Sequence, residues 1–391
     1  MDTTSSPHFC IVGAGFSGAV LARALAEKMD CRVTVLDERP HLGGNCHTER
    51  DAATGVMVHC YGPHIFHTSL PEVWDYVTRF GRFGAFVNRV KAVTPRGVFS
   101  LPINLHTINQ FFGKTFNPAE AKAFIATLGD ASIAEPRNFE EQALKFLGRE
   151  LYETFFYGYT RKQWGCEPRE LAASILKRLP VRFNYDDNYY NSTWQGIPED
   201  GYTAMVEKIL AHPAITVRLG VRFEPEARPA CDHLFYTGPL DAYFGHRAGR
   251  LGYRTVTFER GEAEGDFQGN AVLNYGDPAV PYTRIHEHKH FAPWEEHART
   301  VYFKEYSQET GPADPPYYPK RLDADHRLLR EYRRLARQEH GVSFLGRLAT
   351  YRYMDMDKVI GEALAFGGAF ARAFQDGSAD RPIFPNADAE A

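Results

Sequence analysis

The apolar run Phe9-Cys10-Ile11-Val12 predicts a short buried strand, residues 19–28 are helical in composition, and residues 32–36 alternate as a second strand. Between the first strand and the helix lie Gly13, Gly15 and Gly18, and Asp37 ends the second strand. Farther on, NPAEAKAFIATL and NFEEQALKFLGRELYETFF carry apolar residues at three-and-four spacing, with Asn117 and Asn138 as caps, so residues 105–177 read as mostly helical. Residues 84–101 and 251–306 are β-rich, and the alternation within 254–258 and 300–303 predicts an antiparallel sheet. A charged helix over 325–340 and an apolar, glycine-bearing one over 359–374 follow, with a polar, disordered tail after Asp376.

Strand, glycine turn, helix, strand and acid in that order form a unit that binds the ADP half of a dinucleotide. Gly13 makes the tight turn, Gly15 lets the backbone approach a pyrophosphate, and Gly18 lets the helix pack with its N-terminus toward the anion. Ser17 lies in the same turn, and Asp37 is placed for a ribose hydroxyl. A second glycine doublet follows in RPHLGGN, from Arg39 through Gly43 and Gly44 to Asn45. A bare NAD fold does not need it. The pair of glycine elements resembles the flavoprotein group that includes the amine oxidases, which moves the expected cofactor from NAD to FAD.

Composition narrows the picture further. The chain has 391 residues, 43% of them hydrophobic, and a net charge of −4 with both signs interspersed, which excludes an electrostatic footprint for nucleic acid or an anionic membrane. No run of 18 apolar residues occurs, and the N-terminus is polar, so the expectation is a cytoplasmic protein. Six cysteines without a CxxC pair fit reduced thiols.

Aromatic residues gather at 152–164, 185–194, 317–318 and 351–353, and several of these stretches carry arginine or lie beside it: Arg178 and Arg182, Arg284, Arg347 and Arg352. Guanidinium forks match phosphate oxygens, and aromatic faces stack on bases. Aromatic core packing with arginines on the rim is the competing reading, and composition leaves the two open. His286, His288 and His290 alternate, but with no grouped acid or cysteine and with Lys289 among them no metal is expected; His59, His64 and His67 are expected to line the flavin instead.

The motifs GGN, HCYGPHIFHT, YGYTRKQWG, KRLPVRFNYDDNYYN, PYTRIHEHK and YRYMDMD, taken together, closely resemble bacterial UDP-galactopyranose mutase over nearly the whole chain. The resemblance implies an α/β fold: a Rossmann-like FAD-binding domain (1–83, 198–243 and 321–391), an inserted helical bundle with a mobile loop (105–185), and an antiparallel sheet substrate domain (84–104, 186–197 and 244–320). It implies interconversion of UDP-galactopyranose and UDP-galactofuranose, with reduced FAD as the N5 nucleophile and no net redox change. Arg178, on a loop bounded by Pro168 and Pro180 that closes over substrate, and Arg284 on the facing sheet would clamp the diphosphate. Tyr159, Tyr189, Tyr318 and Tyr353 would surround phosphates and sugar, with Asn88, Phe155, Thr160, Trp164 and Asn274 completing the pocket. His64 would act beside the flavin, and Arg347, Met354, Asp355, Met356 and Val359 would hold it. An external reductant such as NAD(P)H, lacking its own Rossmann site here, and a homo-oligomer are also expected. The alternatives are an FAD-dependent oxidase of the amine-oxidase type and a nucleotide-sugar binder without catalysis.

Overall fold

Phe9 to Ile11 have no solvent exposure because helices cover both faces of the sheet they enter. This computed structural model describes residues 6–178, 181–378 and 381–385, with the backbone alone at Ser174, Lys177 and Arg178. Its first sheet is five-stranded and parallel, in the order Ile215–Leu219, Arg32–Asp37, His8–Val12, His233–Tyr236 and Val342–Phe344. Helices Phe16–Lys28 and Met356–Gln375 lie together against it. They pack closely because Gly367 faces Ala24, where an added Cβ would stand 3.0 Å from the Ala24 methyl. Phe9, Phe235, Phe370 and Phe374 interlock beneath them edge to face.

The second sheet has seven strands, in the order Tyr318–Pro319, Tyr253–Glu264, Arg299–Glu309, Arg284–Glu287, Val272–Tyr275, Val90–Thr94 and Gly97–Leu101. It is antiparallel, as expected, except at one junction, where Val272–Tyr275 runs parallel to Val90–Thr94. Trp194–Pro198, expected in this sheet, instead pairs with Phe66–Thr68 and Phe83–Gly84 in a three-stranded sheet. Helices from Leu105 to Trp164 form the insert, and Asn117, expected as a cap, closes a capping box with Glu120. Tyr152–Tyr157 winds as a π-helix just before Gly158–Trp164, the helix that faces the cavity described below. Pro180 and the tail beyond residue 385 lie outside the described residues.

Candidate active site

The glycine turn has the geometry its sequence predicts. Gly13 adopts φ +107°, and a Cβ on Gly18 would lie 1.9 Å from the Gly13 carbonyl oxygen, so only glycine lets this helix start on this turn. Gly15 differs: a Cβ there meets no protein atom nearer than 3.7 Å, and Gly15 lines a cavity of about 1600 Å³. That empty face is where a dinucleotide pyrophosphate fits. Gly43 and Gly44, at φ +92° and +56°, bring the second doublet against the first, with the Gly43 amide donating to the Ala14 carbonyl at 3.0 Å. Asp37 accepts from the amides of Ala14 (2.7 Å) and Arg39 (2.9 Å). Its carboxylate therefore braces the glycine turn, while Glu38, which the motif did not single out, lines the same cavity.

The cavity runs on past the turn. Of the residues expected at cofactor or substrate, it is lined by Gly13, Gly15, Ser17, Asp37, Arg39, Gly43, Gly44, Asn45, His64, Tyr159, Trp164, Tyr189, Arg284, Tyr318, Arg347, Tyr353, Met354, Asp355, Met356 and Val359. Gly346, at φ +84°, lets the chain press on Ser17, where a Cβ would stand 2.3 Å from Oγ, and so carries Arg347 to the first glycine turn. The guanidinium of Arg347 lies 5.2 Å from the Tyr318 ring centre, and Tyr318 stacks on Tyr353 at 5.9 Å. Asp355 precedes the final helix without a side-chain cap, so the positive end of that helix dipole adjoins the cavity.

Strand register builds the opposite wall. Asn274 pairs with Arg284, and Arg284 with Glu305, which places the three side chains in one row across the sheet. Arg284 Nε donates to Glu305 Oε1 at 2.9 Å, and that carboxylate is 1% exposed. Burial opposes the Arg284 charge, but Glu305, Tyr159 and Tyr318 together hold its pKa well above the usual guanidinium value. Burial raises Tyr159 and pushes Tyr318 up to about 12 against the pull of Arg284, so both hydroxyls stay protonated donors. The Asn274 side-chain oxygen is buried without a partner. Glu305 was not legible beforehand, because one acid in an alternating strand has no distinguishing spacing.

Other expected residues lie apart. Phe155 is 5% exposed and packs edge-on against Phe99, which makes it core rather than pocket. Thr160 and Asn88 are buried and Asn274 is half-buried, and none of the three lines the cavity; Asn88 accepts the Tyr189 amide through its carbonyl at 2.9 Å. Arg178 ends a short turn of helix, and its side chain lies outside the described residues. Arg182, a candidate phosphate ligand by composition, is spent internally: its guanidinium donates to the carbonyls of Asp186, Asn188 and Tyr190 and to the Asn191 side chain. His288 begins a 3-10 turn, so the three-histidine alternation stops at the strand end.

Comparison with known proteins agrees with this geometry. The sequence profile of the UDP-galactopyranose mutase family matches residues 154–353, and that of the NAD(P)-binding Rossmann-like domain matches 11–80. A probable UDP-galactopyranose mutase of Klebsiella pneumoniae is 55% identical over 97% of this chain and 98% of its own. A dTDP-fucopyranose mutase of Escherichia coli is 49% identical over 90% and 96%. A crystal structure of reduced UDP-galactopyranose mutase superimposes with a TM-score of 0.72 at 14% identity, covering 96% of this chain and 95% of that one, which shows a shared fold. The chain belongs to the UDP-galactopyranose mutase family.

Proposed function

We propose that this enzyme interconverts the pyranose and furanose ring forms of UDP-galactose with no net redox change, using FAD in its reduced form. The observation that carries the reading is Arg284, held by the buried Glu305 beside it and lining, together with Tyr159, Tyr318 and Tyr353, the same cavity as the glycine cradle. A diphosphate between a nucleoside and a sugar requires a fixed cation and several neutral donors, and this wall supplies both.

The residues present fit FAD. Gly13, Gly15, Ser17, Gly43, Gly44 and Asn45 would hold its pyrophosphate, Asp37 and Arg39 would lie toward the adenosine, and His64, Arg347 and residues 354–356 with Val359 would surround the ring. Bound there in reduced form, FAD supplies an electron-rich nitrogen nucleophile for the anomeric carbon. The chain's own task is positioning and charge. Arg284, with Arg178 as its counterpart from the facing segment, offsets the charge that grows on the departing diphosphate and keeps it in place for return. Protonated Tyr159 and Tyr318 donate hydrogen bonds to the same oxygens, and no side chain of the protein need act as nucleophile.

The similarity to a dTDP-fucopyranose mutase favours a second substrate for the same chemistry. The arginine and tyrosine wall would serve either nucleoside diphosphate. Six unpaired cysteines support a reducing, cytoplasmic setting, with an external reductant such as NAD(P)H and a homo-oligomeric assembly as parts of the same reading.

The test is to purify the protein, record its flavin spectrum, reduce it with dithionite, and follow UDP-galactofuranose and dTDP-fucofuranose by chromatography. Conversion of the UDP sugar in the reduced state alone, with the larger kcat/KM, supports the reading. A larger kcat/KM for the dTDP sugar transfers it to that substrate. Peroxide release on adding amines, with neither sugar converted, overturns it in favour of an oxidase.

A further inference from the structure

Helix Gly158–Trp164 turns Tyr159 and Trp164 toward the cavity and sends Lys162 the other way. The Lys162 ammonium is enclosed by backbone carbonyls: Tyr275 O at 2.5 Å, Asp277 O at 3.1 Å, Val280 O at 2.9 Å and Tyr282 O at 2.9 Å. The first ends strand Val272–Tyr275, and the other three lie in the turn that joins it to strand Arg284–Glu287. An ammonium has three protons, so four oxygens share it much as carbonyls share a small cation. Four converging carbonyl dipoles repel one another unless a positive charge stands at their focus.

The turn is otherwise built to hold this shape. The Tyr275 amide donates to the Thr283 carbonyl at 2.8 Å, the Val280 amide to the Asp277 carbonyl at 3.1 Å, and the Ala279 amide to the Asp277 carboxylate at 2.8 Å. The helix and the turn also meet backbone to backbone, since a Cβ on Gly158 would lie 2.0 Å from the Gly276 carbonyl oxygen. From the other side Arg254, 3% exposed, grips the helix end, its Nε donating to the Gln163 carbonyl at 3.0 Å and its Nη2 to that of Lys162 at 3.2 Å. The helix that bears Tyr159 and the hairpin that bears Asn274 and Arg284 are thus joined through one ammonium.

We infer that the turn from Tyr275 to Tyr282 is a carbonyl-lined cradle for a monovalent cation, that the Lys162 ammonium fills it, and that Lys162 thereby acts as a positioning residue setting Tyr159 against Arg284. The activity readout rests on the mutase reading above; the cradle itself does not. Its occupant is a compact cation, so potassium or ammonium should replace the side chain when the side chain is removed, and choline should not.

The experiment uses full-length Lys162→Ala in choline chloride, potassium chloride and ammonium chloride at equal ionic strength. In choline, normal flavin content is expected with kcat lowered by about 10- to 100-fold, the penalty of a small misplacement, and with faster amide exchange across 275–282. Potassium or ammonium should restore part of the rate and slow the exchange, while the wild type responds to neither. Wild-type rate and exchange in choline, or a loss that no monovalent cation relieves, overturns the inference. If Lys162→Ala does not fold, Lys162→Met, which keeps the aliphatic stem, takes its place, and insolubility of both in every salt overturns a positioning role in favour of a folding one. Exchange is read without substrate, so a wild type that converts no sugar condemns the mutase reading alone, and the exchange data still judge the cradle.

Discussion

The Nδ1 of His64 lies 2.8 Å from the carbonyl oxygen of Gly62. A carbonyl only accepts, so Nδ1 carries the proton and Nε2 carries the lone pair. Burial is the main reason the His64 pKa falls to about 4, Arg347 and Arg284 push it the same way, and the Gly62 carbonyl opposes them. The imidazole is therefore neutral throughout the physiological range and serves the site as an acceptor. The pH profile of kcat/KM should show no limb from His64 between about pH 5 and 8, and ¹⁵N NMR should find the neutral Nδ1-H tautomer across that interval. A His64 resonance that titrates near its ordinary value would reject the assignment.

Buried neutral histidines give the fold an acid edge. Burial, aided by a nearby arginine in each case, lowers His233 and His288 to about 3, and His59 and His286 shift the same way. The unfolded chain binds protons at these positions from about pH 6.5 downward while the folded chain does not, so stability falls as pH drops. Below the folded pKa the contribution is gone. Each such group adds a slope of up to about 1.4 kcal/mol per pH unit between pH 6 and 4. Urea midpoints taken over that interval should decline, and His233→Gln should flatten the decline by about one group's share.

Two glycines of the same turn should behave oppositely. A Cβ at Gly18 collides with the Gly13 carbonyl, whereas at Gly15 it makes only ordinary van der Waals contact with Gly43 and Gly44 at the cavity's edge. Gly18→Ala should therefore lower the thermal midpoint or prevent folding. Gly15→Ala should keep the apoprotein's midpoint and lose flavin affinity, because the methyl takes the place of a phosphate oxygen. Calorimetry of the apoprotein together with flavin titration separates the two outcomes.

This turn was legible in the sequence because its constraints are local: three glycines, a strand and an acid lie within 37 residues. The same is true of the Asn117 cap. What the sequence could not convey depends on partners far along the chain. Lys162 meets carbonyls more than 110 residues away, and Glu305 matters only through strand register with Arg284. Trp194–Pro198 is too short and too weakly alternating to declare its sheet, so pairing with Phe66–Thr68 and Phe83–Gly84 decided it. Phe155 and Tyr159 belong to one aromatic run, and only the winding of the intervening π-helix sends the first to the core and the second to the cavity.

Arg182 illustrates how composition misleads. Beside tyrosines it looks like a phosphate ligand, yet it is 8% exposed and holds the bend that delivers Tyr189 and Tyr190. Its carbonyl partners would be left unsatisfied by Arg182→Ala, at a cost of about 3 kcal/mol. Arg182→Lys should recover little of that, since an ammonium cannot span the fork. Differential scanning calorimetry should show the midpoint lowered in both variants. An unchanged midpoint with weakened UDP binding would return Arg182 to the phosphate.

Glu305 and Arg284 allow charge and orientation to be separated. The buried carboxylate fixes the guanidinium and also neutralises part of its field. Glu305→Gln keeps the shape and an acceptor oxygen but removes the negative charge, so Arg284 should attract a diphosphate more strongly. UDP should bind a few-fold tighter, and kcat should fall because product release slows. Glu305→Ala removes the orienting bond as well, leaving Arg284 free to swing, and UDP affinity should drop by about tenfold or more, in line with the loss of a charge-assisted hydrogen bond. Isothermal titration of UDP into both variants gives opposite signs if the pair works this way. Equal weakening in both would mean that Glu305 acts only by supporting the sheet, and that the charge on Arg284 is set elsewhere.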